Sequence, residues 1–180
     1  MARPFADYRS FAYQAGGSSV TAASPEAVWS VVTAIGGRNR YYALNFLWTI
    51  REWMDALIGG EGLRHGRATT GDLKPGDRID SWTVLVADRP RVLALIFGMK
   101  APGHGVLEFR IAQDRHYTRL TATAFWDADG LAGRLYWRAM QPAHLVLFNQ
   151  LTREICRRAH EGEAGNAQSD PSASQDSSNA

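Results

Sequence analysis

The feature that most constrains this chain is the punctuation of residues 79 to 160. Ile79 to Ala87, Arg91 to Met99, Val106 to Ala112 and Tyr117 to Trp126 each read as a strand, rich in β-branched, aromatic or alternating apolar residues. Asp88-Arg89-Pro90 is a turn, and the short connections at Pro102-Gly103 and Asp114-Arg115 favour hairpins, hence an antiparallel meander. Val106 to Ala112 alternates cleanly, with Leu107, Phe109 and Ile111 on one face and Glu108 and Arg110 on the other. After Trp126 the period changes. Leu131 to about His160 reads as one long helix whose inner face is Leu131, Leu135, Leu145, Phe148, Leu151 and Ile155. Pro142 should kink that helix or break it in two. A meander followed by a helix that must bury an apolar stripe implies an α+β two-layer domain.

The first half of the chain supplies shorter elements. Ser18 to Ala22 reads as a short strand. Ser24-Pro25-Glu26 is a strong helix start, with serine as N-cap, proline at the first helical position and an acid in the first turn. That helix runs through Ala27 to Ile35 and stops at Gly36-Gly37; a second spans Leu44 to Ile58 and ends at Gly59-Gly60. Residues 1–17, with Phe5, Tyr8, Phe11 and Tyr13, form an N-terminal arm that docks on the domain proper, residues 18–160. Residues 161–180 hold no large apolar side chain and read as a disordered tail.

Bulk chemistry excludes several function classes. A net charge of +2 from 20 basic and 18 acidic residues gives no reason to expect a nucleic-acid partner. The lone Cys156 rules out an internal disulfide and argues against a cysteine-based metal site. The first residues contain no apolar signal-peptide core, and the longest apolar runs are too short to cross a bilayer. The expectation is a cytoplasmic protein with no membrane partner. The five histidines show no His-x-x-x-His spacing and no tight pairing with acids, so no metal is expected.

Between Gly36 and Trp82 aromatics, glycines and paired charges crowd together at a density that specifies a shaped surface. Gly36-Gly37, Tyr41-Tyr42, Leu47-Trp48-x-x-Arg51, Asp55, Gly59-Gly60-x-Gly62-Leu63-Arg64-x-Gly66-Arg67 and Leu73-x-x-Gly76-Asp77-x-x-Asp80-x-Trp82 follow one another. Pro102-Gly103, Leu107-Glu108-Phe109 and Gly130-Leu131-x-Gly133-x-x-Tyr136-Trp137 come later. With these motifs the chain resembles the DUF2867 family, and its element order is similar to the helix-grip fold, also called START-like or SRPBCC. The resemblance implies a curved antiparallel sheet wrapped around a long C-terminal helix, with a cavity between them. One departure stands out: Arg38-Asn39-Arg40 precedes the paired tyrosines where the family pattern has Gly-Trp. Relatives often carry an NAD(P)-binding Rossmann half. Here nothing reads Gly-x-Gly-x-x-Gly after a strand, so no cofactor is expected and the chain is a standalone member.

The family is one of unknown function, so the site must be read from chemistry. The expected cavity binds a small apolar or aromatic ligand through Trp82, Met99, Glu108, Trp126, Tyr136, Trp137 and His144. An alternative is a cyclase- or dehydratase-like enzyme using Asp80, Glu108 or His144 as acid or base. Asp80 and Trp82, two apart, share a sheet face, whereas Asp55, Arg51, Arg64 and Arg67 read equally well as an ion-pair lattice holding the glycine-rich loop. A third reading is an accessory domain that partners a separate NAD(P)-dependent oxidoreductase through an apolar patch at Tyr41, Tyr42 and Trp53. Nucleophilic catalysis has no support, because there is no Gly-x-Ser-x-Gly elbow and Cys156 reads as a buried thiol.

Overall fold

The structure is a computed structural model and describes residues 5–35, 72–79, 82–98 and 101–169. The expected second helix, the glycine-rich motif region, Asp80 and Met99 lie outside the described residues.

A 3-10 turn, Tyr8–Ser10, leads into strand β1 (Tyr13–Thr21) and helix α1 (Pro25–Thr33). The meander comprises β2 (Arg78–Ile79), β3 (Trp82–Asp88), β4 (Val92–Phe97), β5 (Gly103–Gln113) and β6 (Thr118–Ala128). Helix α2 (Gly130–Ser169) closes the described chain. All pairings are antiparallel, in a six-stranded sheet of order β1-β6-β5-β4-β3-β2. The long helix lies across one face of this sheet, against β1 and β6.

Local chemistry explains the elements. The Ser24 hydroxyl accepts the Ala27 N–H at 3.2 Å, and Pro25 sits where a missing N–H costs nothing. α1 then buries Val28, Trp29 and Val32 against the sheet and α2. In β5 the alternation holds: Leu107, Phe109 and Ile111 join the main core with Val84, Leu93, Leu95 and Leu120 from neighbouring strands. The opposite face is covered too. Ala94, Val106 and Phe125 pack there against Tyr8, with Phe5 and Phe11 alongside. The arm therefore turns a one-faced sheet into one buried on both sides near its middle.

Three expectations need correction. The first strand is Tyr13–Thr21, beginning five residues before Ser18, because β1 pairs with β6 from Tyr13↔Trp126 onward. α2 continues past His160 to Ser169, through the start of the segment read as a disordered tail. Glu163 gives the reason: its carboxylate accepts the Ser24 hydroxyl and, at 3.0 Å, the Ser24 backbone N–H, tying α2 to the head of α1.

The third correction concerns the inner face of α2. Leu131, Leu135 and Leu145 point outward, while Trp137, Leu147, Phe148, Leu151, Ile155, Cys156 and Ala159 are buried. The first half of the helix is apolar on both sides, so two stripes compete. The side carrying Trp137 and Phe148 buries more apolar area and wins. α2 also runs through Pro142 as one helix. It comes close to β1 at Gly17, where a Cβ would stand 2.7 Å from the Asn149 backbone nitrogen, so only glycine admits the helix there.

Candidate functional site

At one end of the helix-facing side, the sheet carries rings in place of aliphatic core. Trp82 opens β3 and stands directly across from Phe97, the last residue of β4; their rings meet edge to face, centroids 5.0 Å apart. Phe97 meets Trp126 of β6 at 5.8 Å, again nearly perpendicular. Trp126 is cross-strand from Gly105 on one side and Tyr13 on the other. Because Gly105 has no side chain, the indole lies down over the β5 backbone; a Cβ on Gly105 or Gly103 would come within 2.8 or 2.7 Å of its ring. Gly105 lets Trp126 lie flat, whereas Gly103 is also required by its φ of +147° and by the Asp127 carbonyl oxygen, with which its Cβ would clash.

Helix α2 supplies the upper layer. Trp137 stacks on Trp126 at 6.3 Å with the planes 17° apart, and Tyr136 approaches it at 5.4 Å. Trp137 also contacts Tyr13 at 5.9 Å and His144 at 4.8 Å, and His144 contacts Phe148 at 5.5 Å. Trp137, His144 and Phe148 are spaced seven and four apart, which puts them on one helix face. Such offset and edge-on ring contacts each add about 0.5–1.5 kcal/mol beyond area burial.

Of the sequence-derived site residues, Trp82, Trp126, Tyr136, Trp137 and His144 come together in this cluster. Met99 and Asp80 lie outside the described residues. Phe97 and Tyr13 belong to the cluster and were missed. Both stand opposite a site tryptophan in strand register, a relation invisible until the strands are paired.

Glu108 is a correction. It lies on the opposite face of the sheet, away from α2, and is 4% exposed. Its carboxylate accepts the Tyr8 hydroxyl, Arg9 Nε and Nη2 at 2.9 and 2.6 Å, and Arg110 Nη2 at 3.2 Å. Burial by itself would raise the Glu108 carboxyl, but the hydrogen bonds from Tyr8 and Arg9 and the charges of Arg110 and Arg9 outweigh it and hold it below the usual range. Burial and the same carboxylate push the Tyr8 phenol up to about 12. Glu108 is thus ionised, Tyr8 is protonated, and the pair is a latch for the N-terminal arm. Strand parity decides it: Leu107 and Phe109 face α2, so Glu108 between them cannot.

Among the described residues no cluster of histidine, cysteine and acids could hold a metal ion. Cys156 sits deeper along α2, where burial pushes its thiol up to about 11 and leaves it unreactive. One polar atom stands out. Trp126 is 3% exposed, and its Nε1–H has no hydrogen-bond partner among the described residues. Among the described residues two surface hollows lie elsewhere, one of about 260 Å³ beside Trp29 and Arg89 and one of about 360 Å³ between the end of β1 and Arg153 and His160.

Comparison with known proteins adds the family. The family described as "Protein of unknown function (DUF2867)" matches residues 8–151. Among solved structures, TTHA0849 from Thermus thermophilus is similar at 13% identity, TM-score 0.46, covering 83% of this chain and 99% of that one. The Zhui aromatase/cyclase from Streptomyces sp. R1128 is similar at 19% identity and TM-score 0.48, covering 87% and 95%. Ms6760 from Mycobacterium smegmatis is similar at 11% identity and TM-score 0.46, covering 85% and 92%. No curated protein matches in sequence.

Proposed function

The chain belongs to the DUF2867 family, and we propose that it binds a small, flat, apolar or aromatic molecule between the sheet and the first half of α2. The observation that carries this reading is the Trp126 indole. A buried N–H without an acceptor costs about 1–3 kcal/mol. Phenylalanine would fill much of the same place without that penalty. The indole keeps a donor that no oxygen or nitrogen of the described residues accepts. A ligand with an apolar body and one carbonyl or hydroxyl oxygen supplies what is missing.

The surroundings favour such a molecule. Trp82, Phe97, Tyr136 and Trp137 offer ring faces and edges, and the floor beneath Trp126 is glycine backbone. The acid/base alternative loses Glu108, which is engaged on the far side of the sheet. The oxidoreductase-partner reading rests on Tyr41, Tyr42 and Trp53, which lie outside the described residues.

The test is a titration with a planar aromatic ketone such as flavone, followed by tryptophan fluorescence, beside native mass spectrometry of freshly purified protein. Wild type should bind the ketone, and Trp126→Phe should bind about tenfold more weakly, the equivalent of one lost hydrogen bond. Trp82→Ala is a poorer probe, because Trp82 is 3% exposed and its truncation would cost about 3–5 kcal/mol of stability. Absence of binding by any planar aromatic probe, with no bound mass on the purified protein, sinks the reading.

A further inference from the structure

The outward side of α2 is as unusual as its inward side. Leu131, Leu135, Leu145 and Val146 are 71%, 59%, 61% and 50% exposed. Their spacing along a 3.6-residue helix places them on one face with Pro142, opposite Trp137, Phe148 and Leu151. A helix packed on a sheet normally shows solvent a polar face.

The charges on this stretch are one-sided. From Gly130 to Arg153, α2 carries Arg134, Arg138 and Arg153 and no aspartate or glutamate. All three arginines are exposed, and none has an acidic partner among the described residues. Further along, the pattern changes: Arg157 pairs with Glu154 and Glu161, and Arg158 with Glu154. Along α2 the arginines without an acidic partner among the described residues thus all precede Glu154, and Arg134 and Arg138 stand on the turns that expose Leu131 and Leu135.

We propose that this face of α2 docks on an anionic phospholipid surface. Aliphatic side chains flanked by arginines on one side of a helix are what the interfacial region of a bilayer accepts, with the apolar groups entering among acyl chains and guanidiniums meeting phosphates. No described helix is long and apolar enough to cross a membrane, so the contact is peripheral. It revises the sequence-based expectation of no membrane partner, which rested on the lack of a spanning segment. Pairing with a second copy through the same face is disfavoured, because it would bring six unpaired arginines together with no acid to balance them. The inner side of the same turns carries Tyr136 and Trp137, so a docked protein would hold its ring cluster about 10 Å from the lipid, one helix diameter away.

The experiment is co-sedimentation of the full chain with vesicles of phosphatidylcholine alone and with roughly one third phosphatidylglycerol, at low and high salt. Binding should require the anionic lipid and fall with salt. Arg134→Glu with Arg138→Glu should weaken it by more than the roughly fivefold that one arginine contributes. Leu135→Gln with Leu145→Gln should weaken it about tenfold with every charge intact. Thermal melts of both variants should match wild type, since all four positions are exposed. No partition onto anionic vesicles at low salt, or unchanged binding by both variants, overturns the proposal. Binding to soluble polyglutamate but not to vesicles overturns it in favour of an acidic protein partner.

Discussion

Replacing Glu108 should cost stability and leave ligand binding alone. The carboxylate holds Tyr8, Arg9 and Arg110 on the face of the sheet away from α2. Glu108→Ala leaves the Tyr8 hydroxyl, on a residue 6% exposed, without its acceptor, at a cost of about 1–3 kcal/mol. The arginines add less, because Arg9 and Arg110 side chains are 53% and 47% exposed and can turn to water. The total expected for Glu108→Ala is about 3 kcal/mol, at the lower edge of what breaking a buried charged pair costs. Glu108→Gln keeps an acceptor for Tyr8 and should lose about 1–2 kcal/mol. Urea unfolding followed by tryptophan fluorescence measures both, and a cycle with Tyr8→Phe isolates the pairwise part. The pH dependence has a definite sign. The folded-state carboxyl is lowered, so its contribution is fully present above the unfolded value, near pH 4.5, and fades as pH falls through the folded value. The gap between wild type and Glu108→Gln should therefore be flat above about pH 5.5 and close below it. A Glu108→Ala loss under about 0.5 kcal/mol would refute the latch. So would unchanged stability with lost binding of a planar aromatic probe, which would return Glu108 to the ligand site.

Glu163→Ala removes the acceptor of both the Ser24 hydroxyl and N–H, and should lower stability by about 1–2 kcal/mol in the same urea assay; a chain ending at His160 that unfolds like the full chain would contradict this. Gly17→Ala should cost about 1–3 kcal/mol, because the new methyl would meet helix backbone at 2.7 to 2.8 Å and backbone cannot rotate aside. A melting temperature equal to wild type for that variant would mean that α2 does not press on β1 there.

Sequence periodicity determined the elements themselves. Alternation in Val106 to Ala112 placed Leu107, Phe109 and Ile111 together, and the Ser24-Pro25 start placed α1, because strand parity and caps are set within a few residues. The same alternation already set Glu108 apart from Leu107, so its exclusion from the ligand side was legible once Leu107 was assigned to the core. Four things were decided only by tertiary structure. Whether Leu131 or Trp137 faces inward depends on which stripe meets the sheet, and a helix apolar on both sides does not choose by itself. Phe97 and Tyr13 join the ring cluster through cross-strand register, a relation between segments and not within one. The helix beyond His160 depends on Glu163 finding Ser24, and Glu108 is buried by a tyrosine 100 residues away. Such contacts leave no local trace, because either partner alone reads as an ordinary polar residue until the fold brings the other to it.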